Sequence, residues 1–84
     1  MHYVVVIEKA DSNYSAYVPD LPGCVTTGAT LEEVKQMIAE AIEFHLEGML
    51  EDGLPIPKPT SIAHEVEVAK ELFSSSTNIV NNFT

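Results

Sequence analysis

The stretch Tyr14-Ser-Ala-Tyr-Val-Pro-Asp-Leu-Pro-Gly-Cys-Val25, continued by Thr26-Thr-Gly-Ala-Thr-Leu-Glu-Glu33, decides the fold. Tyr14, Ala16 and Val18 alternate with Ser15 and Tyr17, the period of two that marks a strand with one buried face. Pro19 and Pro22 then remove backbone donors and hold the residues before them extended, so the strand stops there. Gly23 permits a sharp turn, Cys24 to Thr27 is short and β-prone, and Gly28 closes a third, antiparallel strand at a sheet edge. Asp20, Leu21, Pro22, Gly23 and Cys24 thus read as a structural corner. Thr30 and Glu33 form a capping box, each side chain satisfying a backbone N–H that the first helical turn leaves unpaired.

Beyond that cap the period changes to 3.6. Leu31, Val34, Ile38, Ala41, Ile42, His45 and Met49 form one stripe, predicting a helix over 31–52 that lies on one face of the sheet. Glu32, Gln36, Glu40, Glu43, Glu47 and Glu51 share the opposite side, and Gly53 supplies a left-handed stop after Asp52. Met37, Phe44 and Gly48 flank the stripe on one side and Leu46 and Leu50 on the other, an apolar sector wider than a small sheet needs. The flanking Met37, Phe44, Leu46 and Leu50 either touch the domain's own loops or form an interface between copies.

Outward from this centre, Tyr3 to Ile7 is a near-continuous β-branched run, expected as a central strand, and Lys9–Asn13 is a polar turn joining it to the second strand in a hairpin. Leu54-Pro-Ile-Pro-Lys-Pro-Thr60 reads as an extended connector, because three alternating prolines exclude helix and central strand. Alternation returns in Ile62–Ala69, predicting a fourth strand parallel to the first through a right-handed crossover, with strand order 3-2-1-4. The fold class is therefore α+β, β-β-β-α-β, with one domain over 1–70. Residues 71–84 are expected as a tail that is frayed or docked in an oligomer.

A chain of 84 residues buries only about 60–65% of its unfolded surface, so its core is modest and a homo-oligomer, dimer or tetramer, is expected. No apolar run approaches the roughly 18–20 residues of a membrane span, and the acidic Glu8 follows a start without a basic leader, so a cytoplasmic location is expected. Thirteen acids against four lysines and no arginine, a formal charge of −9, point away from direct nucleic-acid contact and toward solubility or a basic partner.

The residues that could carry chemistry are sparse. Cys24 is the single cysteine, excluding an internal disulfide, and with no base nearby in sequence it reads as a packing residue. His2, His45 and His64 are scattered without metal-ligand spacing, and His45 falls on the helix stripe as a core or interface residue. A two-metal nuclease would need carboxylates converging from strands in a cleft, whereas these lie along a helix surface. No phosphate-binding glycine motif or nucleophile elbow occurs. No catalytic, metal or cofactor site is expected.

Tyr14 to Val25 with its D-L-P-G-C segment, Thr27-Gly-Ala-Thr-Leu-Glu-Glu33, Glu40-Ala-Ile-Glu43 and the Leu54–Pro59 connector together closely resemble the HicB-like antitoxins of bacterial and archaeal toxin-antitoxin pairs. The resemblance covers about Tyr3 to Ala69. It implies a partial ribonuclease-H-like domain, without the nuclease carboxylates, that binds HicA, a small basic ribonuclease degrading messenger RNA. Many members append an operator-binding module, for which Lys70 to Thr84 is too short and too poor in cations.

Two functions stand against each other on this basis. One is an antitoxin-like module that neutralises a basic HicA-type toxin, with Glu40, Glu43, Glu47 and Glu51 as the candidate partner-binding residues. The other is an orphan homo-oligomeric domain of structural or regulatory role without a toxin. A minimal ribonuclease using Asp20 or Glu8 is a third, weaker reading.

Overall fold

The structure, a computed structural model, describes residues 1–70. Strands β1 (Val6–Lys9), β2 (Tyr14–Tyr17) and β3 (Val25–Gly28) are followed by helix α1 (Leu31–Glu51), an α+β arrangement. The strands form an antiparallel meander in the order β1-β2-β3. Val6 pairs with Tyr17 and Lys9 with Tyr14, while Tyr14 faces Gly28 and Tyr17 faces Val25 on the other side. This register puts Ile7, Tyr14, Ala16, Thr26 and Gly28 on the helix-covered face and Val6, Tyr17 and Val25 in a row on the opposite face.

Helix α1 begins and ends as its residues dictate. The Thr30 hydroxyl accepts from the Glu33 N–H at 3.1 Å, and the Glu33 carboxylate reaches back one residue beyond the cap to accept from the Ala29 N–H at 3.2 Å. At the other end Gly53 adopts φ +69. Its N–H donates to the Leu50 carbonyl at 3.2 Å and the Leu54 N–H to the Met49 carbonyl at 2.9 Å, the paired closure of a Schellman motif.

The core consists of Ala16, Val18, Leu21, Cys24, Val34 and Ile38, with Tyr3, Val5, Ile7, Tyr14, Ala41, Ile42 and Leu46 packed around it. Leu21 and Val34 are fully enclosed. Two close approaches shape this core. A Cβ at Gly28 would lie 2.8 Å from the Val34 nitrogen and 3.0 Å from its Cα, so the strand meets the helix at backbone distance. The Val34 N–H also makes the first helical bond, to the Thr30 carbonyl at 3.0 Å. Gly28→Ala should therefore cost about 1–3 kcal/mol by displacing the helix start. Gly48→Ala, with open space around it in a helix interior, should instead gain about 0.5–1 kcal/mol. Thermal melts of the two variants check this pair, and two shifts of the same sign would refute the close-approach argument.

Two expectations are corrected. Among the described residues the first strand lies at an edge, with β2 central, and its ladder starts at Val6. Tyr3–Val5 find no pairing on β2 because the Val18 N–H turns away to the Cys24 carbonyl at 3.1 Å. Among the described residues the fourth strand and the order 3-2-1-4 do not appear, since residues 62–69 carry no strand and are exposed throughout. Alternation fixes which residues share a face, and says nothing of where the edge that would receive them stands. Of the two readings of the helix flanks, Leu46 follows the first and packs against the domain's own core. The helix also outruns the sheet: 21 residues span about 31 Å against about 13 Å for a four-residue strand, and its buried residues, Val34 and Ile38, both lie in its N-terminal half. The expected tail over 71–84 lies outside the described residues.

Candidate functional site

Two features of the surface are built from the residues singled out in the sequence, a brace at Asp20 and an acidic helix face. The brace begins in the corner between β2 and β3. There the Leu21 N–H donates to the Val18 carbonyl at 3.1 Å and the Cys24 N–H to the Leu21 carbonyl at 3.0 Å. Gly23, with φ +82, supplies the left-handed residue this winding needs. The corner buries Leu21 and Cys24 and turns Asp20 outward to a partly exposed position.

Asp20 accepts four hydrogen bonds from the end of the connector. Oδ2 takes the backbone N–H groups of Thr60 and Ser61, both at 3.0 Å, and Oδ1 takes their hydroxyls, both at 2.9 Å. The Tyr3 hydroxyl adds a bond to the Pro57 carbonyl. Asp20 thus ties the proline connector back to the corner and spends its lone pairs on structure, not on a metal or a water nucleophile. The bond from the Ser61 N–H, the largest cause, together with those from Thr60 and both hydroxyls, holds its carboxyl down to about 2. A depressed pKa means that the carboxylate's contribution is fully present above the unfolded value near 3.8 and is lost as pH falls from there through about 2. Asp20→Asn should accordingly speed amide exchange at Thr60 and Ser61 at neutral pH and flatten the acid limb of stability between about pH 4 and pH 2. Unchanged protection at those two amides would show that the connector is held by something else. Thr60 and Ser61 were not singled out from the sequence. The only signal for them was a pair of hydroxyl residues following the last proline.

The other sequence candidates separate cleanly. Cys24 is buried, and burial pushes its thiol up, away from nucleophilic reactivity. His45 is half-buried on the helix. Among the described residues no group of three or more His, Cys, Asp or Glu converges to hold a metal ion, and no helix is long and apolar enough to cross a membrane.

Glu40, Glu43, Glu47 and Glu51 are all exposed on α1. Glu43, Glu47 and Glu51 follow at intervals of four, so like charges stack along one line, an arrangement that destabilises a helix by about 0.2–0.5 kcal/mol per pair. Glu51 also stands in the last turn, where no basic residue offsets it and the negative end of the helix dipole disfavours it. Phe44 lies among these acids, one turn from Glu40 and Glu47, and is 80% exposed. Met37, two turns before it, is at the margin of exposure, whereas Leu50 is exposed on a different side, about 120° around the axis from Phe44. The flanking residues therefore do not form one patch. What the helix does present is a bare aromatic ring within a carboxylate field, held there at a cost to helix stability.

Comparison with known proteins places this chain among relatives. A family model described as a HicB-like antitoxin of a bacterial toxin-antitoxin system matches residues 3–81. An uncharacterised 14.9 kDa protein of Haemophilus phage HP1 is 48% identical over 62 residues, 74% of this chain and 47% of the phage protein, so the chain spans about half the length of that relative. A UPF0150 protein of Synechocystis is 38% identical over 68 residues, covering 80% of this chain and 86% of the relative. Among solved structures, a chain of a HicA3 and HicB3 toxin-antitoxin complex superposes with a TM-score of 0.62 at 23% identity, covering 94% of this chain and 84% of that one, which shows a shared fold.

Proposed function

Because the chain belongs to the HicB-like antitoxin family, we propose that it is an antitoxin that neutralises a HicA-type, messenger-RNA-cleaving ribonuclease by direct protein contact in the cytoplasm. The β-β-β-α unit is read as the first part of a ribonuclease-H-like domain that serves as a binding scaffold. Family membership suggests a binding role over a catalytic one.

The observation that carries the reading is the acidic face of α1. Glu43, Glu47 and Glu51 work against the helix they stand on, and residues kept at a cost to folding are expected where a surface is used. A basic toxin would relieve their mutual repulsion, with charge steering the encounter and Phe44 as the apolar anchor at its centre. Co-expression with a small basic toxin encoded beside its gene tests the proposal. Growth should be restored, and the two proteins should co-purify in a salt-sensitive complex. Persistent toxicity with both proteins soluble, and no complex at low salt, would favour the orphan-domain reading instead.

A further inference from the structure

Gly48 has no explanation within the fold. It stands in the interior of a 21-residue helix, without a left-handed φ, where a glycine costs stability through the backbone entropy it loses on folding. Gly28 is required by the Val34 backbone pressed against it, whereas a Cβ at Gly48 would meet nothing within 4 Å among the described residues. The bare backbone there serves no packing inside the domain, and its use lies with something that approaches from outside. Side chains on a helix lean toward its N-terminus, so Phe44, one turn earlier, leans away from Gly48 and leaves a gap of about 5 Å along the axis. The 80% exposed Phe44 borders this gap on one side, and the exposed Glu51, three residues further on, borders it on the other, with Glu47 alongside.

We propose that the gap at Gly48 seats an arginine side chain of a basic partner protein, its guanidinium stacked on the Phe44 ring and its N–H groups donating to Glu47 and Glu51. The inference rests on the reading of α1 as the face that meets a basic protein, and goes further by naming the group that enters. Each part of the seat suits a guanidinium. An aromatic face attracts a cation, and the planar, weakly hydrated arginine head stacks there more readily than the compact, strongly hydrated lysine ammonium. Glu47 and Glu51 stand about 6 Å apart along the axis, a spacing that lets both accept from one forked head. The missing side chain at 48 lets that flat group lie close against the helix. A second copy of this chain cannot supply it, because the sequence has four lysines and no arginine. The only lysine of α1 itself, Lys35, stands about 20 Å back along the axis.

Two alanine-based helical peptides of equal length and charge, one with arginine and one with lysine at every fourth position, test the seat on the full-length protein. The arginine peptide should bind about threefold or more tighter than the lysine peptide. Its δ-methylene protons should shift upfield in the Phe44 ring current and show cross-peaks to that ring. Gly48→Leu fills the gap from a position with open space around it, so the variant should keep the far-UV spectrum and melting temperature of the parent. It should bind both peptides alike, at the affinity that charge alone supplies, and Phe44→Leu should lose the preference in the same way. Equal affinity of the parent for the two peptides overturns the seat, as does an unshifted δ-methylene or a Gly48→Leu variant that still prefers arginine, and all three leave the acidic face standing as a docking surface. Failure of both peptides to bind at low salt removes the acidic face itself, and the seat with it.

Discussion

Leu21→Ala should lower the unfolding free energy by about 2–5 kcal/mol, the range for removing a fully enclosed leucine without full collapse of the cavity. Leu21 has no exposed surface and sits in one cluster with Val34 and Ile38, so the loss falls where sheet, corner and helix meet. Its own backbone is committed as well, donating to Val18 and accepting from Cys24, which limits how far the corner can move to fill the void. In a domain this small each kcal/mol is worth about 4–8 °C, so the melting temperature should fall by roughly 10 °C or more. Leu21→Met, which conserves volume, should cost less than about 1.5 kcal/mol. Equal effects from the two substitutions would mean that the corner is not packed as described.

Reversing the acidic face should have the largest effect on binding. Glu40→Lys, Glu43→Lys, Glu47→Lys and Glu51→Lys together should slow association with a basic toxin by about 10- to 1,000-fold at low salt. Each substitution moves the formal charge of −9 two units toward neutrality and flattens the salt dependence. Folding should respond in the opposite sense. A lysine at 51 complements the negative end of the helix dipole, so the melting temperature should hold or rise. Stopped-flow association and thermal denaturation of the same variant separate the two effects. An unchanged association rate would remove α1 from the interface.

The legibility of this chain follows from how local each determinant is. The helix was readable almost to the residue because a capping box, a stripe of period 3.6 and a left-handed glycine act within a few positions of one another. The hairpin and the third strand were readable for the same reason, since prolines and glycines punctuate them. The corner is legible as structural, yet its part in holding the connector is not, because Asp20 and its donors Thr60 and Ser61 lie 40 and 41 residues apart in sequence.

By itself, then, the sequence determined the three-stranded meander and the helix that follows it, the helix limits, the buried faces of β2 and α1, and the family. Only the tertiary structure decided that, among the described residues, the first strand lies at an edge, Leu46 turns into the core while Phe44 is left bare, and Ile62–Ala69 carries no strand pairing. Periodicity records which side chains share a face, and that is a property of a few neighbouring residues. Which edge or face those side chains meet depends on where a distant connector is fastened, here by one carboxylate with four donors.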